Sequence, residues 1–106
     1  MNGFRPDNEK KYEELVRQKL IDMLRDTKAK IFLFGSRARG DSKRGSDADI
    51  GIEAIHYDAF RKLKIEFNEF WEESLIPFHV ELIYFDQVSS DFKKQALKDI
   101  VVWKAD

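Results

Sequence analysis

The sequence predicts a small α/β (α+β) domain in which helices flank a mixed β-sheet. Three short runs rich in Ile, Phe and Val have the length of strands. Between them lie longer segments in which apolar residues recur every three or four positions, as they do on one face of a helix. Helices interleaved with strands are typical of helices packed on a sheet. Because the chain has 106 residues, we expect a single domain over residues 1–106.

The first helix is predicted to begin at Asn8 and to end between Asp26 and Lys28. Either Asp7 or Asn8 can cap its N-terminus. Its apolar positions have helical spacing: Tyr12, Leu15, Val16, Leu20, Met23 and Leu24. A buried strand is expected to follow over residues 29–34, because this run is rich in Ile and Phe.

The second strand is predicted over residues 47–53, after a glycine-bearing loop with room for one helical turn behind Gly35. Alternation places its residues on two faces: Ala48, Ile50 and Ile52 on one, and Asp47, Asp49, Gly51 and Glu53 on the other. A second helix is predicted next, capped by Asp58 and ended by Pro77. Its apolar stripe consists of Phe60, Leu63, Phe67, Phe70 and Trp71.

The third strand is predicted over residues 78–85. Its two faces carry Phe78, Val80, Leu82 and Tyr84 on one side, and His79, Glu81 and Ile83 on the other. A last helix is expected over residues 90–99, followed by a short edge strand over residues 100–103. The buried side of that helix is predicted to be Phe92, Ala96, Leu97 and Ile100.

Composition excludes several classes of protein. Lys and Arg total 19 and Asp and Glu total 20, so the net charge of −1 shows no basic footprint for nucleic acid. The sequence contains no Cys, which excludes disulfides and thiolate metal sites. No apolar run approaches the length that spans a membrane. We therefore expect a soluble, cytoplasmic protein that binds neither a membrane nor a template nucleic acid.

The stretch between the first two strands carries the chemistry. Asp47 and Asp49 are two residues apart, so their side chains project from the same face of an extended segment. Adjacent carboxylates repel each other unless a cation lies between them. Hard oxygen ligands suit magnesium or manganese. The pair therefore predicts a site for Mg²⁺ or Mn²⁺.

This stretch partly matches two familiar motifs, but it lacks a residue that each motif requires. A phosphate-binding P-loop would need lysine where Asp41 stands, and Asp41 reverses the required charge. A calcium loop beginning at Asp47 would need a ligand at its fifth position and glycine at its sixth. Gly51 and Ile52 occupy those positions. Neither interpretation is retained.

The same stretch resembles the signature of the minimal nucleotidyltransferases, a branch of the DNA polymerase β nucleotidyltransferase superfamily. The sequence reads GSRARG at residues 35–40 and SDADI at residues 46–50. The resemblance covers nearly the whole chain, since these proteins are little more than the catalytic core. It implies that the fold is the polymerase β-like nucleotidyltransferase core.

The resemblance also implies roles for individual acids. Asp47 and Asp49 would hold the metal, and a third carboxylate from a later strand would assist them or accept the proton of the acceptor. The matching position is Glu81. Relatives more often carry Asp there, so the longer side chain predicts a looser geometry.

The glycine–serine loop is expected to bind the phosphates of a nucleoside triphosphate, most simply ATP. Gly35 permits close approach of the backbone, and Ser36 supplies a hydroxyl. Arg39, and after it Arg37, would offset the charge of the triphosphate.

By resemblance, the expected function is Mg²⁺-dependent transfer of AMP from ATP to a hydroxyl of a protein. Minimal nucleotidyltransferases are commonly encoded beside an all-helical HEPN protein, a toxin that they act on as antitoxins. One alternative is a binding module that neutralises such a partner by covering it, with nucleotide binding vestigial. Another is an aminoglycoside-type nucleotidyltransferase, although those enzymes generally carry an added helical domain.

Overall fold

The computed structural model describes residues 6–105, with side chains from Glu9 onward, and this part of the chain contains four strands. They are β1 (Lys30–Phe34), β2 (Ala48–Glu53), β3 (Val80–Tyr84) and β4 (Val101–Lys104). They form one sheet in the order β3-β2-β1-β4. Strand β1 is antiparallel to β2 and β4, whereas β2 is parallel to β3. The predicted mixed sheet is confirmed.

The helices of the described range are α1 (Pro6–Met23), α2 (Ser36–Arg39), α3 (Tyr57–Glu72) and α4 (Ser90–Ala96). A 3₁₀ turn at Phe85–Gln87 follows β3. The single helical turn behind Gly35 is thus α2. Within the described range, no helix combines the length and the apolarity that crossing a membrane requires.

The main core lies between one face of the sheet and the helices α1 and α3. It contains Ala48, Ile50 and Ile52 from β2, as the alternation predicts. Its helical members include Val16, Leu20 and Leu24 from α1 and the segment after it, and Phe60, Leu63 and Phe67 from α3. The other two residues of the predicted stripe, Phe70 and Trp71, are partly buried against this core.

The opposite face carries a smaller aromatic cluster made by Phe32, Phe34 and Phe85. Gly51 leaves the room for it, because a Cβ at this position would collide with the ring of Phe32. The helix α4 approaches the cluster through Phe92, whose ring lies edge-on to Phe34 at a centroid distance of 6.0 Å. The cluster covers only part of this face, and the rest of the face remains available for a site.

Some predicted element ends are wrong. Among the described residues, helix α1 extends back to Pro6, ahead of the predicted start at Asn8. The predicted capping side chains of Asp7 and Asn8 fall outside the described part. The helix ends at Met23, and a turn follows in which the Thr27 hydroxyl donates to the carbonyl of Leu24 at 2.8 Å. Strand β3 is also shorter than predicted, beginning at Val80 and ending at Tyr84.

The predicted cap of α3 is wrong as well. His56 occupies the N-cap position of this helix, and its side chain makes no capping hydrogen bond. Asp58 lies in the first turn instead. A carboxylate there still interacts favourably with the positive end of the helix, which explains why the sequence places an acid at this point.

The predicted buried side of the last helix is corrected by the structure. Helix α4 ends at Ala96, and the side chains of Phe92, Leu97 and Ile100 are 42%, 39% and 36% exposed. Only Phe92 and Ala96 contact the aromatic cluster. The apolar spacing correctly identifies the apolar face of the helix. The seven-residue helix contacts too little of the sheet to bury that face.

Candidate active site

The centre of the candidate site is the contact between Gly35 and Asp49. Strands β1 and β2 are antiparallel, and their register places Phe34 opposite Asp49. Gly35 follows directly and has a φ of +78°, which L side chains rarely adopt. A Cβ on Gly35 would lie 2.6 Å from Asp49 Oδ2. Glycine is therefore required at position 35 for two reasons: the backbone conformation there and the close approach of the Asp49 carboxylate.

Strand β3 brings Glu81 to the other side of Asp49. The parallel register of β2 and β3 makes Asp49 and Glu81 direct neighbours. The Glu81 carboxylate also lies 3.3 Å from His79 Nε2. Asp47 is exposed at the start of β2, immediately before Ala48. The predicted acids thus meet at one end of the sheet, on the face that bears the aromatic cluster.

Electrostatics at this end of the sheet favours binding of a cation. Partial burial raises the pKa of Asp49, and the carboxylates of Asp47 and Glu81 raise it further. His79 acts in the opposite direction. A group whose charged form is disfavoured in this way becomes fully ionised most easily when positive charge is supplied. Carboxylate oxygens are also the donors that Mg²⁺ and Mn²⁺ prefer, so the donor set fits these ions in type.

The donors are not gathered into a finished metal centre. From Glu9 to Ala105, no group of three or more His, Cys, Asp or Glu side chains is arranged to hold a metal ion. Glu81 contacts His79, Asp47 is exposed, and Asp49 lies against Gly35. Side-chain rotation would be needed to bring the three carboxylates together.

The turn that follows Gly35 presents polar groups beside Asp49. The N–H groups of Ala38 and Arg39 both donate to the Gly35 carbonyl at 3.1 Å. The N–H groups of Ser36 and Arg37 lie in the first turn of α2, so no carbonyl of that helix accepts a hydrogen bond from them. Within the described part of the chain, the Ser36 hydroxyl makes no hydrogen bond. These groups can therefore accept a ligand.

Arg39 borders a small cavity next to this turn. Its guanidinium is half-exposed, and its Nε donates to Asp41 at 3.2 Å, a surface pair that a stronger anion can replace. The cavity has a volume of about 220 Å³. Its lining consists of Phe34, Gly35, Arg39, Phe92, Gln95, Ala96 and Asp99. It combines apolar aromatic walls with polar side chains, as nucleoside-binding pockets do.

Arg37 lies apart from Arg39 and is buried inside the protein. Its side chain is buried and donates to the carboxylates of Glu9 and Glu13 at 2.7 and 2.8 Å. Its Nε and Nη2 donate to the carbonyl of Ser46 at 2.9 and 2.6 Å. Its guanidinium stacks on the ring of Phe78 at 4.0 Å. Because its donors are occupied inside the protein, Arg37 joins α1 to the loop before β2, and we do not assign it a phosphate contact.

Sequence reasoning missed the two glutamates that hold this arginine. Glu9 also accepts the N–H of Gly45 at 3.0 Å, so α1 braces the loop at two points. The only signal in the sequence is an acidic pair four residues apart, which places both carboxylates on one helix face. Such pairs are usually solvated, and nothing in the sequence indicates that Arg37 reaches them.

Comparison with known proteins decides the family. Residues 10–103 match the family model of the nucleotidyltransferase domain. The chain belongs to this family. The match covers both strands that flank the glycine–serine loop, together with β3 and its glutamate. The predicted membership in a nucleotidyltransferase family is therefore confirmed.

Among curated proteins, this nucleotidyltransferase domain is similar to the probable protein adenylyltransferase MntA of Haemophilus influenzae. The two are 35% identical over 75 residues, which are 68% of this chain and 62% of MntA. The aligned part thus spans less than two thirds of the length of that relative.

Three similar solved structures are toxin–antitoxin complexes. One contains AMP-PNP and is 25% identical, with a TM-score of 0.62 over 85% of this chain and 73% of the other. The second is a mutant MntA–HpeT pair, 23% identical, with a TM-score of 0.61 over 85% and 73% of the two chains. The third is a tri-AMPylated HEPN toxin with its MNT antitoxin from Shewanella oneidensis, 22% identical, with a TM-score of 0.60 over 89% and 73%. The second and third likenesses concern the fold alone.

Proposed function

We propose that this nucleotidyltransferase domain transfers AMP from ATP to a hydroxyl group of a partner protein. The observation that carries the proposal is the position of Asp49, which lies between Gly35 of the turn after β1 and Glu81 of the next strand. The name of the Haemophilus influenzae relative, a probable protein adenylyltransferase, supports the choice of reaction. The AMP-PNP in a similar structure supports an adenine nucleotide as the donor.

The proposed step is a displacement at phosphorus. The acceptor hydroxyl oxygen attacks the α-phosphorus of ATP and forms a new P–O bond, while the bond from that phosphorus to the bridging oxygen of the β-phosphate breaks. Pyrophosphate leaves with the bonding electrons. Glu81, beside Asp49 on β3, accepts the proton of the hydroxyl. Breaking its contact with His79 would leave this carboxylate available as the base.

The triphosphate is proposed to rest on the turn after Gly35. The Ser36 hydroxyl and the N–H groups at the start of α2 donate to phosphate oxygens, and Arg39 exchanges Asp41 for the more highly charged ligand. The nucleoside then occupies the adjacent cavity, with its base against Phe92 and with Gln95 available for hydrogen bonds. Arg37 contributes by holding the loop that leads to Asp47.

Asp47, Asp49 and Glu81 are the residues that would hold Mg²⁺ or Mn²⁺. When bound, such an ion offsets the charge that develops on the phosphoryl oxygens and the leaving group. The carboxylates of this chain supply the hard oxygen donors. Burial, and after it repulsion by the neighbouring carboxylates, raises the pKa of Asp49, and the ion would offset that repulsion.

We propose that the partner is a HEPN-like helical protein. Transfer of AMP to this partner would neutralise it, so that the nucleotidyltransferase acts as an antitoxin in the cytoplasm, where ATP is available. The similar toxin–antitoxin structures favour this partner over a template nucleic acid or a small molecule. The near-zero net charge also argues against a nucleic-acid substrate.

A second candidate is a nucleotide-binding antitoxin without catalytic activity. The observation that favours it is the contact of Glu81 with His79, together with the lack of a preformed three-ligand cluster among residues 9–105. In that case the protein would neutralise its partner by covering it.

The decisive experiment uses α-labelled ATP, Mg²⁺ and the HEPN-like protein. We expect label on the partner with the wild type and none with Asp47→Asn, whose circular dichroism should be unchanged. An inactive wild type that still binds the partner stoichiometrically would establish the second candidate. Label transferred to aminoglycosides in a parallel panel, and not to the protein, would identify the antibiotic-modifying alternative.

A further inference from the structure

A groove along the outer edge of the sheet leads to the candidate site and is not used by it. It has a volume of about 580 Å³ and lies between α3 and β3. One of its walls is formed by Val80 and Leu82 of the strand. Glu81 and His79 also border it, so the groove is continuous with the proposed proton acceptor. A ligand in the groove would reach the site without crossing the protein.

The strand that borders the groove has an unpaired edge. Among the described residues, strand β3 is the outermost of the sheet and pairs with β2 alone. The carbonyl of His79 accepts the N–H of Ala48 at 2.9 Å. In a parallel ladder, this hydrogen bond fixes which residues of β3 turn their backbone groups toward β2. The backbone groups of residues 79, 81 and 83 therefore face β2, and those of Val80 and Leu82 point outward into the groove. No described group outside the strand hydrogen-bonds to them.

The opposite wall, provided by α3, combines an apolar residue with positive charge. The residue Ile65 is 60% exposed and borders the groove. Arg61 and Lys64 lie on the same wall and are exposed. At one end, Trp71 closes the groove by donating from Nε1 to the carbonyl of Phe78 at 2.9 Å. The groove is thus apolar at its base, and its rim carries the cations Arg61 and Lys64 together with the acids Glu69 and Glu81.

We propose that the hydroxyl-bearing segment of the acceptor protein docks here as an extended strand paired with the edge of β3. An extended peptide has free N–H and C=O groups that match those of Val80 and Leu82, whereas the backbone of a helix is already paired. An apolar side chain of the segment would pack on Ile65, and acidic side chains would pair with Arg61 and Lys64. Alternate side chains would then project on the side of Glu81, where the hydroxyl is needed. This inference rests on the proposed function.

The test uses a short capped peptide with one central tyrosine. The other positions on the face of the tyrosine carry alanine, and the positions on the opposite face, which would lie against α3, carry valine and glutamate. Hydrogen exchange of the wild-type protein should slow about tenfold at the Val80 and Leu82 amides when the peptide is saturating. An analogue with N-methyl groups on the pairing edge is the matched control, because it cannot donate to β3, and it should protect neither amide. Absence of protection by the parent peptide, or equal protection by the analogue, would overturn the docking mode.

Labelled ATP and Mg²⁺ separate this inference from the proposed function. With Ile65→Arg or Lys64→Glu, the KM for the peptide should rise about tenfold while kcat and the KM for ATP stay unchanged. Val102→Arg, on the other edge strand, is the matched control and should have no effect. Protection of the two amides without labelling would sustain the docking and contradict the proposed reaction. If the groove variants label the peptide as well as the wild type does, the proposed reaction would stand and docking in the groove would be contradicted.

Discussion

Arg37 Nη2 lies 2.7 Å from Glu9 Oε1, and both side chains are buried. The two residues are 28 positions apart and join α1 to the turn that follows β1. The same guanidinium holds the carbonyl of Ser46, the residue before Asp47. A buried ion pair is therefore part of the support for the acids of the candidate site.

Removing one member of this pair should destabilise the protein strongly. We expect Arg37→Met to lower the free energy of unfolding by about 3–5 kcal/mol, because it leaves two partly buried carboxylates without their partner. Arg39→Met is the matched control: that arginine pairs with Asp41 at the surface, and its loss should change stability by less than about 1 kcal/mol. Urea denaturation of both variants measures the difference. Equal, small effects would show that the buried pair is not important for the fold.

Substitution of Gly35 should affect both stability and the site. Gly35→Ala places a Cβ 2.6 Å from Asp49 Oδ2 and forces an L residue to a φ of +78°. Gly40→Ala imposes a similar strain at a φ of +86°, but nothing lies within 4 Å of the new Cβ. We expect each variant to lose about 1–2 kcal/mol through the backbone. Only Gly35→Ala should also abolish AMP transfer. Loss of activity in both variants would attribute the effect to strain alone.

Asp49 should make the metal-free protein less stable at neutral pH. Burial and the neighbouring carboxylates raise the pKa of Asp49 above 3.8, so the folded state binds this proton more tightly than the unfolded state. The group therefore stabilises the fold below that value, and its contribution is lost as pH rises through the folded pKa. In chelator at pH 7, we expect Asp49→Asn to unfold at higher urea than the wild type, with the advantage shrinking toward pH 3.

The control for this prediction is Asp26→Asn, an exposed carboxylate in the turn after α1. It should leave the pH dependence of unfolding unchanged. A destabilised Asp49→Asn variant at neutral pH would mean that the carboxylate makes favourable contacts that outweigh the repulsion.

Filling the small cavity beside Arg39 should block nucleotide binding. Ala96 lines this cavity, and Ala96→Phe would occupy much of its volume of about 220 Å³. We expect the Kd for ATP to rise at least about tenfold, since the base would lose its place against Phe92. Ala59→Phe makes the same change on α3, at a separate cavity, and should leave the Kd unchanged. Calorimetric titration with ATP measures both. Unaltered binding by Ala96→Phe would place the nucleoside elsewhere.

The acids and the glycine of the site could be predicted because their chemistry is local. Asp47 and Asp49 are two residues apart, and a strand places such positions on one face whatever surrounds it. Gly35 follows an apolar run that could only be a buried strand. The resemblance to the minimal nucleotidyltransferases pointed to Glu81, and the strand register places it beside Asp49. The order of helices and strands followed from periodicity in the same way.

The roles of Arg37 and α4 could not be predicted, because they depend on distant contacts. In sequence, Arg37 and Arg39 are cations two residues apart in one loop, yet one is buried against Glu9 and the other is exposed. The spacing of apolar residues in α4 shows which face is apolar and not how much sheet is available to cover it.

The amino-acid sequence by itself thus determined the element order, the paired carboxylates and the glycine–serine turn of a nucleotidyltransferase, since each depends on residues that are close in the chain. The tertiary structure alone decided which arginine is exposed, where Glu81 turns, and that the edge of β3 is unpaired among the described residues. The physical reason is that burial and strand order depend on which distant segments pack together, and spacing along the chain carries no record of that choice.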